Sequence, residues 1–122
     1  CQLTLEGHQK SVLSIIAHPT PGKYITCSAD RTIRIWNRDA CMGAMTGHTD
    51  VPRDLAILEN GNLASCANDG TVRLWNLDRT GMCLQTLPAH SGSYIYSITA
   101  FPANSAADFA TSGEDGTVRV WK

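Results

Sequence analysis

The stretch Thr-Val-Arg-Leu-Trp-Asn at residues 71–76 decides the fold, because two near copies of it occur elsewhere in the chain. The copies are Thr-Ile-Arg-Ile-Trp-Asn at 32–37 and Thr-Val-Arg-Val-Trp-Lys at 117–122. An acidic turn precedes each copy, and a histidine stands upstream of each, at positions 8, 48 and 90. The chain therefore repeats with a period of about 40 residues, which is typical of repeat architectures.

Each repeat divides into short segments of strand length that are separated by turn residues. The candidates in the first repeat, rich in β-branched and aromatic residues, are 1–5, 12–17, 24–27 and 32–36. Asp-Gly pairs at 69–70 and 115–116 indicate tight hairpins, and no stretch has a sustained helical period. The sequence thus predicts an all-β chain of three four-stranded propeller blades, with repeats at approximately 1–40, 41–82 and 83–122.

The composition excludes several classes of function. Ten basic and 11 acidic residues give a net charge of −1 without a basic cluster, so we expect no nucleic-acid partner. No apolar run approaches the roughly 18 residues of a membrane span, and no signal peptide is evident. No phosphate loop, zinc spacing or paired-carboxylate motif occurs, so we expect no cofactor and no metal.

Five cysteines cannot form a closed disulfide framework. Cys1, Cys41 and Cys83 fall at the same point of the three repeats, and Cys27 and Cys66 fall in equivalent strands. This placement predicts small core residues in a reducing compartment, the cytoplasm and/or the nucleus. A zinc or redox role is the alternative.

These residues resemble the WD-repeat family of β-propellers, because a histidine, an Asp-x-Thr and a tryptophan recur in order three times. The resemblance implies that Trp, Ser/Thr, His and Asp form a buried hydrogen-bond network in each blade. The implied sets are His8, Ser28, Asp30 and Trp36; His48, Asp69 and Trp75; and His90, Asp115 and Trp121. Ala67 and Gly113 stand where the first repeat has Ser28, so we expect two networks to lack the hydroxyl. Their indole N–H groups would then need another acceptor or a water.

A Ser–His–Asp set also raises the possibility of a hydrolase triad. A nucleophile needs a base within hydrogen-bond reach and an oxyanion hole nearby. The set recurs three times while its serine is lost twice, which suits a structural bond better than catalysis. We therefore expect no catalytic residues. The repeated arginines Arg34, Arg73 and Arg119 are expected to reach solvent from the strands.

Two more specific strings, Ser-Cys-Ala-Asn-Asp at 65–69 and Tyr-Ile-Tyr-Ser-Ile at 94–98, resemble the phospholipase A2-activating protein family. The resemblance implies a noncatalytic propeller that binds ubiquitin or ubiquitinated partners in ubiquitin-dependent protein turnover. The family's later ubiquitin- and segregase-binding domains are not in this chain. The alternative is a WD-repeat scaffold subunit of another multiprotein complex.

Propellers bind partners on the face formed by the loops that enter the innermost strands and by the turns between second and third strands. By repeat position, this face should display Lys10, Ser11, Asp50, Arg53, Asn68, Tyr94, Tyr96 and Glu114. Tyr94 and Tyr96 are the best candidate anchors, since rigid amphipathic rings dominate interface energetics. Arg53 is at the position equivalent to Tyr96, so the two should lie side by side. Alternatively, the tyrosines pack within the blade and the charges are only solvated.

Three blades cannot close a ring, because propellers typically have about four to eight. The chain is either part of a larger, seven-bladed propeller or one half of a six-bladed, head-to-tail homodimer. In the homodimer, the strand at 1–5 of one copy would complete the last blade of the other. The initial Cys1, in place of Met, favours the first possibility. Pro52, which lacks an N–H, is expected to weaken a central strand.

Overall fold

The computed structural model describes residues 3–78 and 82–122, and every regular element in this part of the chain is a β-strand. The strands are β1 Val12–Ala17, β2 Tyr24–Ser28, β3 Ile33–Trp36, β4 Cys41–Met45, β5 Pro52–Ile57, β6 Leu63–Ala67, β7 Val72–Asn76, β8 Met82–Leu87, β9 Ile95–Ala100, β10 Phe109–Gly113 and β11 Val118–Trp121. The all-β prediction is confirmed.

The strands form three antiparallel sheets, one for each repeat. The sheet orders are β1-β2-β3-β4, β5-β6-β7-β8 and β9-β10-β11. Each sheet is a meander in which consecutive strands pair, as expected for a propeller blade. Within the described residues the third sheet has three strands, so the architecture is a partial β-propeller.

The predicted strand at 1–5 is not found. Residues 3–8 have no regular secondary structure, and Cys1 and Gln2 lie outside the described residues. A strand is stabilised by ladder hydrogen bonds to a neighbour. The partner predicted for this segment is a blade of a larger propeller or the last blade of another copy, and no ladder includes it within the described residues.

Apolar side chains bury the faces between adjacent sheets. Ile25, Ile33 and Ile35 of the first sheet pack with Leu55 and Trp75 of the second. The matching cluster between the second and third sheets consists of Ala56, Leu58, Ala64, Cys66, Val72, Ala89, Ile95, Ile98 and Phe109. The blades thus pack face to face, and each pair of neighbours has its own hydrophobic core.

The prediction that the repeated cysteines are core residues holds for Cys27 and Cys66, whereas Cys41 and Cys83 are only half-buried. Cys27 and Cys66 are fully buried, and the four described cysteines are free thiols. Burial raises the pKa of Cys27 to about 12 and also raises the pKa of Cys66. Because the thiolate is the reactive form, these two groups are inert core residues at neutral pH. Cys1 lies outside the described residues.

Pro52 is the first residue of β5, where it pairs with Ala67. The register shifts between Pro52 and Asp54 at a bulge, and β5 is an edge strand of its sheet. A missing N–H is tolerated at the start of an edge strand. The hydrogen-bonded pairing of β5 with β6 continues to Ile57, so Pro52 does not interrupt the strand as expected.

One carboxylate joins all three sheets. Asp54 on β5 accepts hydrogen bonds from the hydroxyls of Ser14 on β1 and Ser97 on β9, each at 3.1 Å. It also accepts the backbone N–H of Ile98 at 3.0 Å. Ser14, Asp54 and Ser97 occupy equivalent positions in their repeats, opposite equivalent residues of the second strands. The three innermost strands are therefore tied together at one level.

We predict that Asp54→Ala lowers the free energy of unfolding by about 2 kcal/mol, because it removes three hydrogen bonds to a charged acceptor and leaves the Ile98 N–H without its partner. Urea unfolding followed by tryptophan fluorescence measures this. Asp39→Ala is the matched control, since the Asp39 side chain makes no hydrogen bond in the described part of the chain. Equal stabilities of the two variants would contradict the bridging role.

Candidate partner-binding rim

A chain of buried hydrogen bonds runs through the second blade. His48 Nδ1 donates to Asp69 Oδ2 at 2.9 Å, and a carboxylate only accepts, so the proton is on Nδ1. His48 Nε2 then accepts the hydroxyl proton of Ser65 at 2.7 Å. The Ser65 oxygen accepts the indole N–H of Trp75 at 2.9 Å. One serine therefore connects a loop histidine to the third strand.

The first and third blades contain the same arrangement. Thr26 Oγ1 lies 2.6 Å from His8 Nε2 and accepts the Trp36 indole N–H at 2.8 Å. In the third blade, Thr111 Oγ1 lies 2.8 Å from His90 Nε2 and 3.2 Å from the Trp121 nitrogen. All three histidines also contact their aspartates through Nδ1.

The expectation that only the first network is complete is therefore wrong. The bridging hydroxyl comes from Thr26, Ser65 and Thr111, which stand ten residues before each tryptophan. Ser28 lies two residues further along β2, so it is displaced along the strand from the His–Trp contact. The constant spacing of ten residues was visible in the sequence and would have identified the true position.

Ser28 and its counterparts have a different structural role. The Ser28 hydroxyl donates to the backbone oxygen of Lys10 at 3.1 Å and accepts the Asp30 N–H. At the equivalent position in the third blade, a Cβ on Gly113 would lie 2.8 Å from His90 Nδ1. Gly113 therefore leaves room for the histidine and is not a lost hydrogen-bond donor.

The network hydroxyls are withdrawn from solvent. Ser65 is fully buried, and Thr26 and Thr111 are buried. Each hydroxyl is occupied by a histidine and a tryptophan. The geometry supports a structural role for these residues and not that of a nucleophile.

The aspartates of the network are held in their charged form. For Asp30 and Asp69, burial is the largest single effect and raises the pKa, but hydrogen bonds from threonine, histidine and backbone donors outweigh it and lower the pKa overall. For Asp115, the Thr117 hydroxyl bond is the largest cause and the pKa falls to about 2. Each folded blade thus favours an ionised carboxylate.

Backbone hydrogen bonds fix the loops of the predicted rim. The N–H of Ala29 donates to the oxygen of Ser11, and the N–H of Asn68 donates to Val51, both at 2.8 Å. The third blade repeats the bond, since the N–H of Glu114 donates to Tyr94 at 2.8 Å. The loop that enters each innermost strand is therefore tied to the turn between the second and third strands.

Five of the eight predicted rim residues form one cluster. The Arg53 guanidinium carbon lies 6.0 Å from the ring centroid of Tyr94 and 5.7 Å from that of Tyr96. Arg53 Nε donates to Asn68 Oδ1 at 2.9 Å. The rings of Tyr94 and Tyr96 meet edge to face at 6.4 Å, and the Tyr96 hydroxyl donates to Glu114 at 3.3 Å. The expected neighbourhood of Arg53 and Tyr96 is confirmed.

Both tyrosines present surface to solvent. Tyr94 is 37% exposed and Tyr96 is 48% exposed, so neither ring is packed inside a blade. Desolvation, followed by the nearby Glu114 carboxylate, raises the pKa of Tyr96 and keeps its hydroxyl protonated at neutral pH. The cluster therefore combines two aromatic faces, a guanidinium and a carboxylate on the surface.

The other three predicted residues lie apart from this cluster. Lys10 and Ser11 are exposed at the start of the first blade, and their backbone oxygens bond to Ser28 and Ala29. The Asp50 carboxylate accepts the N–H of Val51 at 2.7 Å. No side-chain hydrogen bond or ion pair joins these residues to the cluster within 3–78 and 82–122.

The repeated arginines differ from expectation. Arg34 and Arg73 are partly buried, and a terminal nitrogen of each approaches a cysteine sulphur, at 3.9 Å for Cys41 and 3.6 Å for Cys83. Only Arg119 reaches solvent as predicted, with its side chain 46% exposed. The first two are covered because the loops at Gly7 and Gly47 pass directly over them.

The described residues provide neither a metal site nor a membrane-spanning helix. No group of three or more His, Cys, Asp and Glu side chains there is arranged to hold a metal ion. No helix in that part of the chain is long and apolar enough to cross a bilayer.

Comparison with protein families identifies the repeat. The family model for the WD domain, G-beta repeat, matches residues 1–37, 39–76 and 81–122. The chain belongs to the WD-repeat family. The His–hydroxyl–Trp network is thus common to all three WD repeats of this chain.

Among known proteins, ubiquitin fusion degradation protein 3 homolog of Caenorhabditis elegans is 40% identical over 57 residues, which is 46% of this chain and 7% of that protein. Pre-mRNA-processing factor 19 of C. elegans is 38% identical over 122 residues, or 97% of this chain and 24% of that protein. The solved WD40 β-propeller domain of Doa1 matches with a TM-score of 0.84 and 36% identity, over 96% of this chain and 38% of that one. The chain therefore spans only a small part of each of these relatives.

We predict that Ser65→Ala lowers the free energy of unfolding by about 2 kcal/mol, because the buried Trp75 N–H and His48 Nε2 lose their common partner. Urea unfolding measures the change. Ser11→Ala is the control, since only the backbone oxygen of Ser11 is used in the fold. A Ser65→Ala variant as stable as Ser11→Ala would show that the bridge is unimportant.

The lowered aspartate pKa values predict acid sensitivity. A carboxyl whose pKa is lower in the folded state stabilises the fold fully above its unfolded pKa, near 4, and this stabilisation is lost as the pH falls toward the folded value. The urea midpoint should therefore fall between pH 5 and pH 2. Asp69→Asn should be less stable at neutral pH and should lose less of its remaining stability over this range. An unchanged pH dependence would contradict the assignment.

Proposed function

We propose that this chain is a noncatalytic protein-interaction module that binds ubiquitin or ubiquitinated partners through its rim cluster. The observation that carries the proposal is the cluster itself, in which two exposed tyrosines and Arg53 form a continuous surface across two blades. Rigid aromatic rings and arginine are the residue types most enriched at interface hot spots. Ubiquitin offers a complementary surface, an apolar patch with basic surroundings.

Two relatives support ubiquitin as the partner. A ubiquitin fusion degradation protein 3 homolog shares 40% identity over 57 residues, and the Doa1 propeller shares both fold and 36% identity. We propose on this basis, and on the strings at 65–69 and 94–98, that the chain is similar to the propeller of phospholipase A2-activating protein. A cytoplasmic and/or nuclear location goes with this proposal.

The alternative is a WD-repeat scaffold subunit of another complex. The similarity to pre-mRNA-processing factor 19 extends over 97% of the chain and is compatible with either function. In the scaffold case the rim would bind a different peptide, and ubiquitin would not perturb it. The two functions therefore predict different results in the same titration.

We predict that labelled chain titrated with ubiquitin shows NMR shift changes centred on Tyr94, Tyr96 and Arg53. Tyr94→Ala and Tyr96→Ala should each weaken binding by roughly tenfold, since an interface aromatic commonly contributes more than 1 kcal/mol. The reason is that each variant removes apolar contact area without altering the network below it.

The matched control is Leu84→Ala, which removes an exposed apolar side chain from β8 in another part of the second sheet. It should leave the affinity unchanged. If the ubiquitin-induced shift changes are the same in both tyrosine variants as in the wild type, the binding site lies elsewhere. If millimolar ubiquitin causes no shift change at all, the scaffold function is favoured.

We also propose that each end sheet packs against a further blade, which belongs either to a larger, seven-bladed propeller or to a second copy in a head-to-tail homodimer. Ile15 on the first sheet is 64% exposed, whereas Leu55 and Ile98 at the same repeat position are 3% and 5% exposed. Val118 is 72% exposed and its equivalents Ile33 and Val72 are at most 1% exposed. A groove of about 740 Å³ next to Ile15 and Trp36 would receive the opposite face. The contact is heterologous, and two copies would close a ring of six blades.

Sedimentation equilibrium tests this association. If the second copy supplies the missing blades, the 122-residue chain should be a dimer, and Ile15→Lys and Val118→Lys should be monomers because each variant places a charge in one apolar face. A mixture of the two variants should recover a heterodimer, since one intact face of each kind remains. Leu84→Lys is the control and should stay dimeric. A monomeric wild-type chain would instead leave these faces to other blades of a longer propeller.

A further inference from the structure

Arg53 carries the positive charge of the rim cluster, and no carboxylate forms an ion pair with it in the described part of the chain. Asp54, its neighbour on β5, is occupied by Ser14, Ser97 and the Ile98 N–H. Glu114 accepts from the Tyr96 hydroxyl. The nearby carboxylates are therefore engaged with other donors.

The guanidinium is held by one edge only. Its Nε donates to Asn68, which is buried, and its central carbon lies 6.0 Å and 5.7 Å from the ring centroids of Tyr94 and Tyr96. Neither terminal nitrogen of Arg53 has a hydrogen-bond partner in the described part of the chain. Neither of them is buried, so both are accessible to solvent. The two terminal nitrogens thus form an open fork, which is the geometry that binds a carboxylate through two parallel hydrogen bonds.

The fold keeps this fork in place before any partner arrives. Arg53 and Asp54 are consecutive on β5, and Tyr96 and Ser97 are consecutive on β9. The Asp54–Ser97 hydrogen bond holds β5 and β9 together. The preceding residues of the same two strands, Arg53 and Tyr96, make the cation–π contact. Because both contacts immobilise the arginine, less side-chain entropy is lost when an anion binds.

We propose that Arg53 is a receptor for a carboxylate of the protein partner, which the rings of Tyr94 and Tyr96 flank with apolar surface. This inference rests on the proposed function for the location of the interface, and it adds the chemistry of the central contact. The carboxylate comes either from an Asp or Glu side chain or from a chain terminus. Both sources present the same two oxygens to the fork.

Benzoate and benzamide test the inference without a protein partner. They have the same ring and nearly the same shape, but only benzoate carries a carboxylate. With isotope-labelled chain, we expect benzoate to shift the Arg53 Nε–H and Tyr96 ring signals, and benzamide at the same concentration to shift them several-fold less. Equal shifts by both compounds would overturn the proposal.

Two variants separate charge from geometry. Arg53→Gln should abolish the benzoate-specific shift, and Arg53→Lys should retain only part of it, because an ammonium group has no planar fork. Amide spectra of both variants should match the wild type away from the rim, which verifies folding. A benzoate response that persists in Arg53→Gln would contradict the assignment.

Ubiquitin then distinguishes this inference from the proposed function. If ubiquitin binds, Arg53→Gln should weaken it by about tenfold or more, as for loss of a charge-assisted contact. If the C-terminal carboxylate of ubiquitin is the ligand, amidation of that terminus should lower the affinity by the same factor. If an Asp or Glu side chain is the ligand, amidated ubiquitin should bind with unchanged affinity. If benzoate binds and ubiquitin does not, Arg53 remains a carboxylate receptor and ubiquitin is refuted as the partner. If ubiquitin binds with the same affinity to Arg53→Gln, the receptor role of Arg53 is refuted and ubiquitin remains the partner.

Discussion

The hydroxyl shared by a histidine and a tryptophan is the contact on which each blade depends. It lies on the second strand, and through the indole N–H it holds the third strand. The same hydroxyl holds, through the imidazole, the loop that precedes the first strand. The histidine in turn binds the aspartate in the turn between the second and third strands. A single buried group therefore fixes two strands and two loops. Since an unpaired buried indole or imidazole would be costly, the blade has one stable arrangement of these parts.

The same frame determines where the chain can vary. The loops fixed by histidine and aspartate are the loops that carry the rim, and backbone bonds such as Glu114 to Tyr94 close them. At one equivalent position of the innermost strands the three repeats have Leu13, Arg53 and Tyr96. These side chains are not needed by the network, and two of them meet on the surface. Asp54 then sets the distance between the strands that carry them.

The fold was largely predictable from the sequence, because period, alternation and turn residues all act locally. Whether residues 1–5 form a strand was not predictable, because a strand forms only where the edge of another strand is available to pair with it. Ser28 was misassigned because its place before Asp30 matched the resemblance, whereas the geometry follows the ten-residue distance to the tryptophan. The side-by-side placement of Arg53 and Tyr96 followed from repeat equivalence. The same equivalence places Ser14, Asp54 and Ser97 at one level, so the bridging carboxylate was also accessible from the sequence and was missed.

Exchange of the indole N–H protons with solvent tests most directly whether every blade has a complete network. Trp36 and Trp75 are both buried and both donate to a buried hydroxyl, so their indole N–H signals should be protected to a similar degree. Trp121 is less buried and should exchange faster. A Trp75 indole that exchanges as fast as a solvent-exposed one, beside a protected Trp36, would contradict the account, because it would mean that Ser65 does not complete the second blade.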